Sequence, residues 1–326
     1  MNRRAFLTVT GTGATAGFAG MKLTHRDTPL PAGPAGNSAV AVLRADSYTK
    51  DLVSPILGGI RACSPQLADY VKGRRVLLKP NLVEFDSNTA INTDPRFVMA
   101  AYEVFRTLGA AEVMIAEGPG HRRDTLDLAD QARYFDNVPG FEGLFTDLNR
   151  DDVSPVTNFA GEERMYFPNT ALGADLIVSL AKMKTHHWAG ATLAMKNFFG
   201  LVPGSVYGWP KNKLHYIGIP QSIVALNRRF RKTFALVDGI VGMEGNGPIQ
   251  GRPKASHVIV MGRDLVAVDA TCCRIMGIDP AKVEYLRLAA DMGHIGTDRI
   301  EQRGETVASV RTDFELLESF RQLRLV

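Results

Sequence analysis

Cysteine is scarce in this 326-residue chain, which holds Cys63, Cys272 and Cys273 and no others. Three cysteines at those spacings exclude a self-contained iron–sulfur cluster or a four-cysteine zinc site, so no iron–sulfur cluster is expected from this chain alone. Burial as small hydrophobes is the expectation, with Cys272-Cys273 in a strand passing into a helix. An excess of one charge is lacking too. Thirty-eight Lys and Arg stand against 34 Asp and Glu, a formal net charge of +4, without a long basic block. That balance gives no reason to expect a nucleic-acid partner. The densest basic run, Arg228, Arg229, Arg231 and Lys232, reads as a solvated helix end where cations complement the dipole. No apolar stretch reaches spanning length, so no stable membrane span is expected, and internal repeats and low-complexity tracts are missing from residues 36–326.

What is present begins with an address. Met1-Asn2-Arg3-Arg4-Ala5-Phe6-Leu7 places two arginines before a Phe-Leu pair and a small, uncharged run, the pattern of a twin-arginine export signal. The expectation is engagement of the twin-arginine export machinery and a periplasmic or otherwise exported location. Because that route carries folded proteins, a bound metal or cofactor gains weight. Residues 1–35 are read as signal and linker. Gly11-Thr12-Gly13 and its neighbours resemble a nucleotide loop, but no strand precedes them. With 45% of the whole sequence hydrophobic, residues 36–326 can bury one large core.

Short Val-, Ile- and Leu-rich runs at 39–43, 76–78, 113–116, 176–180, 234–237, 257–261 and 265–268 read as buried strands. Segments 51–62, 95–108, 219–230 and 282–292 carry apolar residues at helical spacing. This alternation predicts an α/β domain: a mainly parallel central sheet with helices on both faces. The runs 256–261 and 265–268, joined by Gly262-Arg263-Asp264, predict an antiparallel hairpin in the C-terminal part. Residues 120–136 and 204–216 fit the sheet poorly and read as excursions over a site.

In such a sheet ligands gather beyond the carboxyl ends of the strands, so the residues that stop each apolar run are the informative ones. Run 76–78 stops at Lys79-Pro80-Asn81, run 113–116 at Glu117-Gly118-Pro119-Gly120-His121, run 176–180 leads to Lys182-Met183-Lys184-Thr185-His186-His187, and run 234–237 stops at Asp238-Gly239. Lys182, Lys184 and His186 alternate and share a face if the strand continues. Lys196 and Asn197 follow, and then His215. Lysines held close together, or buried, lose basicity and can serve as base, nucleophile or anion clamp. The candidate catalytic residues are therefore Lys79, Asn81, Lys184, His186, Lys196 and Asn197. For a divalent metal, the candidate ligands are His186, His215, Asp238 and Glu244, although no zinc-protease spacing is present. The loop from Asp238 to Pro248 is rich in glycine, and the amides of Gly245 and Gly247 are candidates for cradling an anionic cofactor.

Together these motifs resemble the domain-of-unknown-function 362 family, through Lys79-Pro80-Asn81, Lys184-Thr185-His186, Lys196-Asn197-Phe198-Phe199-Gly200, His215, Asp238-Gly239, Gly247-Pro248 with Gly251, and Ala267-Val268-Asp269. Many members carry export signals and an attached ferredoxin segment, and this chain departs from them in having no cysteine cluster. A fainter resemblance, to the nickel-pincer lactate racemases, runs through His186, Lys196 and Pro203-Gly204 in order, and implies racemase-like proton or hydride transfer as an alternative chemistry. The function expected is an enzyme acting on a small anionic substrate, with metal assistance left open. Its competitor is a non-catalytic protein that holds a metal or cofactor in the same cleft.

Overall fold

The computed structural model describes residues 36–121 and 123–325. The Arg3-Arg4 pair and the glycine-containing run after it lie outside the described residues.

Eleven strands are present among them: β1 (Ser38–Arg44), β2 (Arg75–Pro80), β3 (Glu112–Glu117), β4 (Phe145–Asp147), β5 (Val153–Phe159), β6 (Glu162–Pro168), β7 (Leu176–His186), β8 (Gly190–Thr192), β9 (Thr233–Glu244), β10 (Arg252–Gly262) and β11 (Ile300–Gly304). Nine build one sheet in the order β11-β1-β10-β9-β7-β2-β3-β4, with β8 paired to β7, and β5 and β6 form a separate hairpin. From β9 to β4 every neighbour on that path is parallel. On the other side β10 runs antiparallel to both β9 and β1.

Helices cover both faces. Val42 and Val260 are cross-strand partners and belong, with Val40, to the core cluster that also holds Val268 of the helix Leu265–Ile275. Leu43 and Met261, one residue out of phase and hence on the opposite face, close on Gly59 of the helix Val53–Cys63, where an added Cβ would lie 2.8 Å from Met261 Sδ. All eleven residues of β7, at the centre, are buried, as expected of a parallel strand covered on both sides. The helix Pro95–Thr107 begins where the Asp94 side chain accepts from Arg96 N (2.9 Å) with proline at the first turn, a start that satisfies one free amide and needs none from the proline.

One element differs from expectation. Residues 265–268 open a helix, not a strand, capped by the Asp264 carboxylate at Ala267 N (3.0 Å). Ten of its eleven residues are buried, so its apolar run shows no polar face to betray helical period. The antiparallel hairpin is instead β9–β10. The Cys272-Cys273 pair lies inside that helix, buried, with both thiols pushed well up by desolvation, the behaviour of inert core cysteines. Segment 282–292 holds only the short helix Glu284–Leu288. No helix among the described residues is long and apolar enough to cross a membrane.

Candidate functional site

Strands β2, β3, β7 and β9 end, or carry their polar residues, on the same rim of the sheet. β2 delivers Lys79, completely buried, whose ammonium pairs with Glu117 at the end of β3 and donates to Asn197 Oδ1 (3.1 Å) and Pro80 O (3.0 Å). Gly200 permits this approach, because a Cβ there would fall 1.7 Å from Glu117 Oε1 and 2.5 Å from Lys79 Nζ. Desolvation depresses the Lys79 ammonium and Glu117 opposes the drop.

The hydrogen-bond roles around Asn197 are fixed by elimination. A lysine ammonium only donates, so the atom it meets on Asn197 is the carbonyl oxygen. The Asn197 amide nitrogen then donates to Lys79 O (2.9 Å) and Ser179 Oγ (3.1 Å). Asn81 therefore presents its own Nδ2 to Asn197 Oδ1 (3.3 Å), which leaves Asn81 Oδ1 as an acceptor.

Along β7 the three alternating residues part company. Lys182 lies opposite Asp238 in the β7–β9 register and pairs with it at 2.8 Å. Tyr48 OH donates to Asp238 Oδ1 (2.7 Å) and accepts from Lys182 Nζ (3.0 Å). Lys184, fully buried, donates to Ile91 O (2.9 Å) and Pro248 O (3.3 Å) and meets no carboxylate among the described residues. Desolvation first, then the positive charges of Lys196 and Lys182, hold its pKa well below the ordinary lysine range. A neutral amine has two N–H groups and one lone pair, so the two carbonyls consume its donors and leave the lone pair.

His186 accepts at Nδ1 from Trp188 N (2.9 Å) and Ala189 N (3.1 Å). Desolvation, reinforced by Lys196 and the flanking histidines, keeps its pKa far below the usual histidine range. A neutral imidazole with Nδ1 as acceptor carries its proton on Nε2, so His186 offers a donor. Its ring stacks on His187 at 5.0 Å, and Trp188 bridges edge-on to His187 (4.5 Å) and His215 (5.6 Å).

A cavity of about 260 Å³ opens here. The strand ends and the segments that follow them contribute Asn81, Glu117, Lys184, His186, Thr192, Lys196 and Asn197, and the two excursions contribute His121, Lys211 and His215. Lys196, partly buried, has its ammonium 4.6 Å above the Phe199 ring and no hydrogen-bond or ion-pair partner among the described residues. Burial, with Lys79 nearby, lowers it to about 8. Lys211 donates to Val202 O and is lowered to about 7 by burial. The Ala194-Met195 turn before Lys196 is pinned by the buried Asp269 carboxylate, which accepts from both amides (2.8 and 3.1 Å) and from Tyr285 OH (3.1 Å). Its pKa is raised to about 7 by burial.

Of the residues singled out in the sequence, Asn81, Lys184, His186, Lys196, Asn197 and His215 line this cavity. Lys79 stands behind it, joined to Glu117 and Asn197. The expected metal set is not brought together. Asp238 is committed to Lys182 and Tyr48, and Glu244 to Lys254 (3.2 Å) and the Glu315 amide (2.9 Å). His186 shows a proton where a ligand needs a lone pair, and among the described residues no three His, Cys, Asp or Glu side chains are arranged to hold a metal ion. Gly245 and Gly247 do not cradle a ligand either. Their amides donate to Glu315 O and Gly245 O (both 2.9 Å), and the Gly247 carbonyl accepts from His187 N (2.9 Å) and Nδ1 (2.7 Å). Gly247 lies so close to β7 that a Cβ would come 2.1 Å from Thr185 O. The loop is a brace for the end of β7.

Three residues escaped the sequence reading: Lys211, Thr192 and Asn149. Asn149 ties the start of the 204–216 excursion to the residue that leads into the other one, accepting from Gly204 N (2.7 Å) and donating to Pro119 O (3.1 Å).

Among solved structures the chain is similar to the lactate racemase apoprotein from Thermoanaerobacterium thermosaccharolyticum, with a TM-score of 0.50 at 13% sequence identity over 74% of this chain. It spans 57% of that protein, and the likeness is one of fold. By sequence it is 26% identical over 270 residues to the thylakoid-associated protein sll1697 of Synechocystis sp., covering 78% of this chain and 79% of that one. The family model described as domain of unknown function (DUF362) matches residues 76–274, more than half of the chain, which therefore belongs to the DUF362 family.

Proposed function

We propose that the chain is an enzyme that binds a small organic anion in the cavity and moves a proton on it. The observation that carries this reading is the Lys196 ammonium, which lines the cavity partly buried and has no counter-ion among the described residues. Isolated buried charge is costly unless paired, and the one carboxylate among the described lining residues, Glu117, is already neutralised by Lys79. A carboxylate ligand supplies the missing charge. About 260 Å³ is below the range that holds drug-sized ligands and suits a molecule of few heavy atoms.

Lys184 and Lys196 are two amines whose surroundings set them apart, an arrangement that separates base from acid. Lys184, with its lone pair free, is the base that abstracts a proton. Lys196 neutralises the anion and returns a proton, His186 Nε2–H donates to developing negative charge, and Asn81 orients the substrate. Asn197 acts through Lys79 and Asn81, holding both in place. The fold-level likeness to a lactate racemase agrees with chemistry of this class. The folded route through the twin-arginine machinery is part of the same reading and rests on Arg3-Arg4, and the thylakoid association of the sll1697 relative is compatible with it. Replacing both arginines by lysine should strand the protein in the cytoplasm on cell fractionation.

The test of the chemistry is solvent exchange. Incubated in D2O with C2 to C5 carboxylates, the wild type should place deuterium on the carbon beside the carboxylate, read by mass spectrometry. Lys184→Met should slow this by about 10²-fold or more while still binding the anion. Binding with no exchange in the wild type would make the protein a carrier.

A further inference from the structure

Six side-chain atoms among the described residues are buried without a hydrogen-bond partner, and two of them, Asn81 Oδ1 and Thr192 Oγ1, belong to residues that line the cavity. Buried polar atoms are nearly always paired, and an exception on a cavity wall needs a cause. Asn81 is 7% exposed and Thr192 4%, so bulk water does not serve them.

The polarity of the first is not adjustable. Turning the Asn81 amide over would set its oxygen against Asn197 Oδ1, which the Lys79 ammonium has already fixed as an acceptor. Asn81 Oδ1 can only accept. Thr192 lies directly across from Lys184 in the β7–β8 register, and cross-strand partners share a face, so its hydroxyl neighbours the proposed base. Its rotor lets it donate or accept. Elsewhere on the lining Lys196, Lys211 and the His186 Nε2–H contribute donors, while the Glu117 carboxylate is held by Lys79.

We propose that Asn81 Oδ1 and Thr192 Oγ1 form a subsite for a hydrogen-bond donor on the ligand, so that the cavity selects an anion carrying a hydroxyl or ammonium group over the corresponding oxo acid or unsubstituted acid. This rests on the anion-binding reading above and adds the second functional group. An oxo oxygen has no proton to give and sets two acceptors face to face with Asn81, and a methylene leaves the acceptor dry. A site built to pair a ligand hydroxyl discriminates strongly against the analogue without it, because its own buried polar groups then go unpaired.

Matched acids of equal length decide the matter by calorimetry and thermal shift on the full chain: glycolate, glycine, glyoxylate and acetate, then lactate, alanine, pyruvate and propanoate, then the four-carbon set. The hydroxy or amino member should bind about tenfold or more tighter than its oxo and unsubstituted partners. Thr192→Val, which keeps shape and removes the hydroxyl, should erase part of that ratio while leaving the affinity for the unsubstituted acid within about twofold, and Asn81→Leu should erase most of it. If Asn81→Leu does not fold, the Thr192→Val ratio alone decides. Equal binding of hydroxy, oxo and plain acids overturns the subsite and leaves the anion site standing, whereas no binding by any acid overturns both.

Discussion

Two lysines two residues apart on one strand have opposite fates, and the contrast separates architecture from function in this molecule. Lys182 is buried with its charge fully answered by Asp238 and Tyr48. Asp238 in turn accepts from the Asp94 amide (3.1 Å), which ties the start of the Pro95–Thr107 helix to the sheet. Lys184 is equally buried and, among the described residues, has carbonyls but no carboxylate for partners. Lys196 and Lys211 line the same cavity, and neither forms an ion pair among the described residues. The Lys182 region is closed and complete, whereas the Lys184 region, on the reading proposed above, is completed by a ligand of negative charge.

The largest expected effect tests the closed half. Asp238→Asn leaves the Lys182 ammonium buried without its counter-charge, and should cost about 3–5 kcal/mol in chemical denaturation. Replacing the pair together, Lys182→Met with Asp238→Leu, should recover most of the loss, since a buried pair contributes little net stability over well-packed apolar residues. A double variant as unstable as the single one would mean that the Tyr48 and Asp94 bonds, not the ion pair, hold this region.

The open half should respond in the other direction. Lys196 ordinarily titrates near 10.5 and is lowered to about 8, so the unfolded chain binds more protons than the folded one between those values. Wild-type stability should therefore rise with pH across about 8 to 10.5 on account of this group, the penalty being complete below 8. Lys196→Met should remove that slope and leave the protein as stable as wild type or more so at pH 7, while anion binding falls at least about tenfold. Binding to the wild type should itself weaken as pH climbs through 8. A Lys196→Met protein that is destabilised and still binds anions would reverse the assignment of the two halves.

The sequence marked this contrast only in part. Alternation put Lys182, Lys184 and His186 on one face, and the stop of each apolar run located Lys79, Glu117 and Asp238, because a buried strand cannot carry lysine without reason. What alternation cannot hold is the register between strands. Asp238 faces Lys182 and not a histidine because β9 pairs with β7 at that position, and this withdrew the acid from the metal set. Glu244 was lost for the same reason, claimed by Lys254 across the β9–β10 ladder. Residues 265–268 misled because a helix buried all round shows no polar stripe. Lys211 and Thr192 gave no signal, one inside an excursion and the other a lone hydroxyl on a three-residue strand, and their importance arises only from the cavity that distant segments enclose.

The smallest effect sharpens the comparison by removing burial while keeping the pair. Arg228 grips both Asp291 oxygens at 3.0 and 2.9 Å, a two-point contact where Lys182 reaches one oxygen of Asp238, yet its side chain is 49% exposed and that of Asp291 65%. Water already solvates both charges, and ordering two long side chains offsets much of the attraction. Arg228→Ala should therefore change the unfolding free energy by less than about 1 kcal/mol, shrinking further in salt. A loss rivalling that of Asp238→Asn would show that pairing itself, wherever it occurs, stabilises this fold, and the charge left unpaired in the cavity would then lose its meaning as a mark of function.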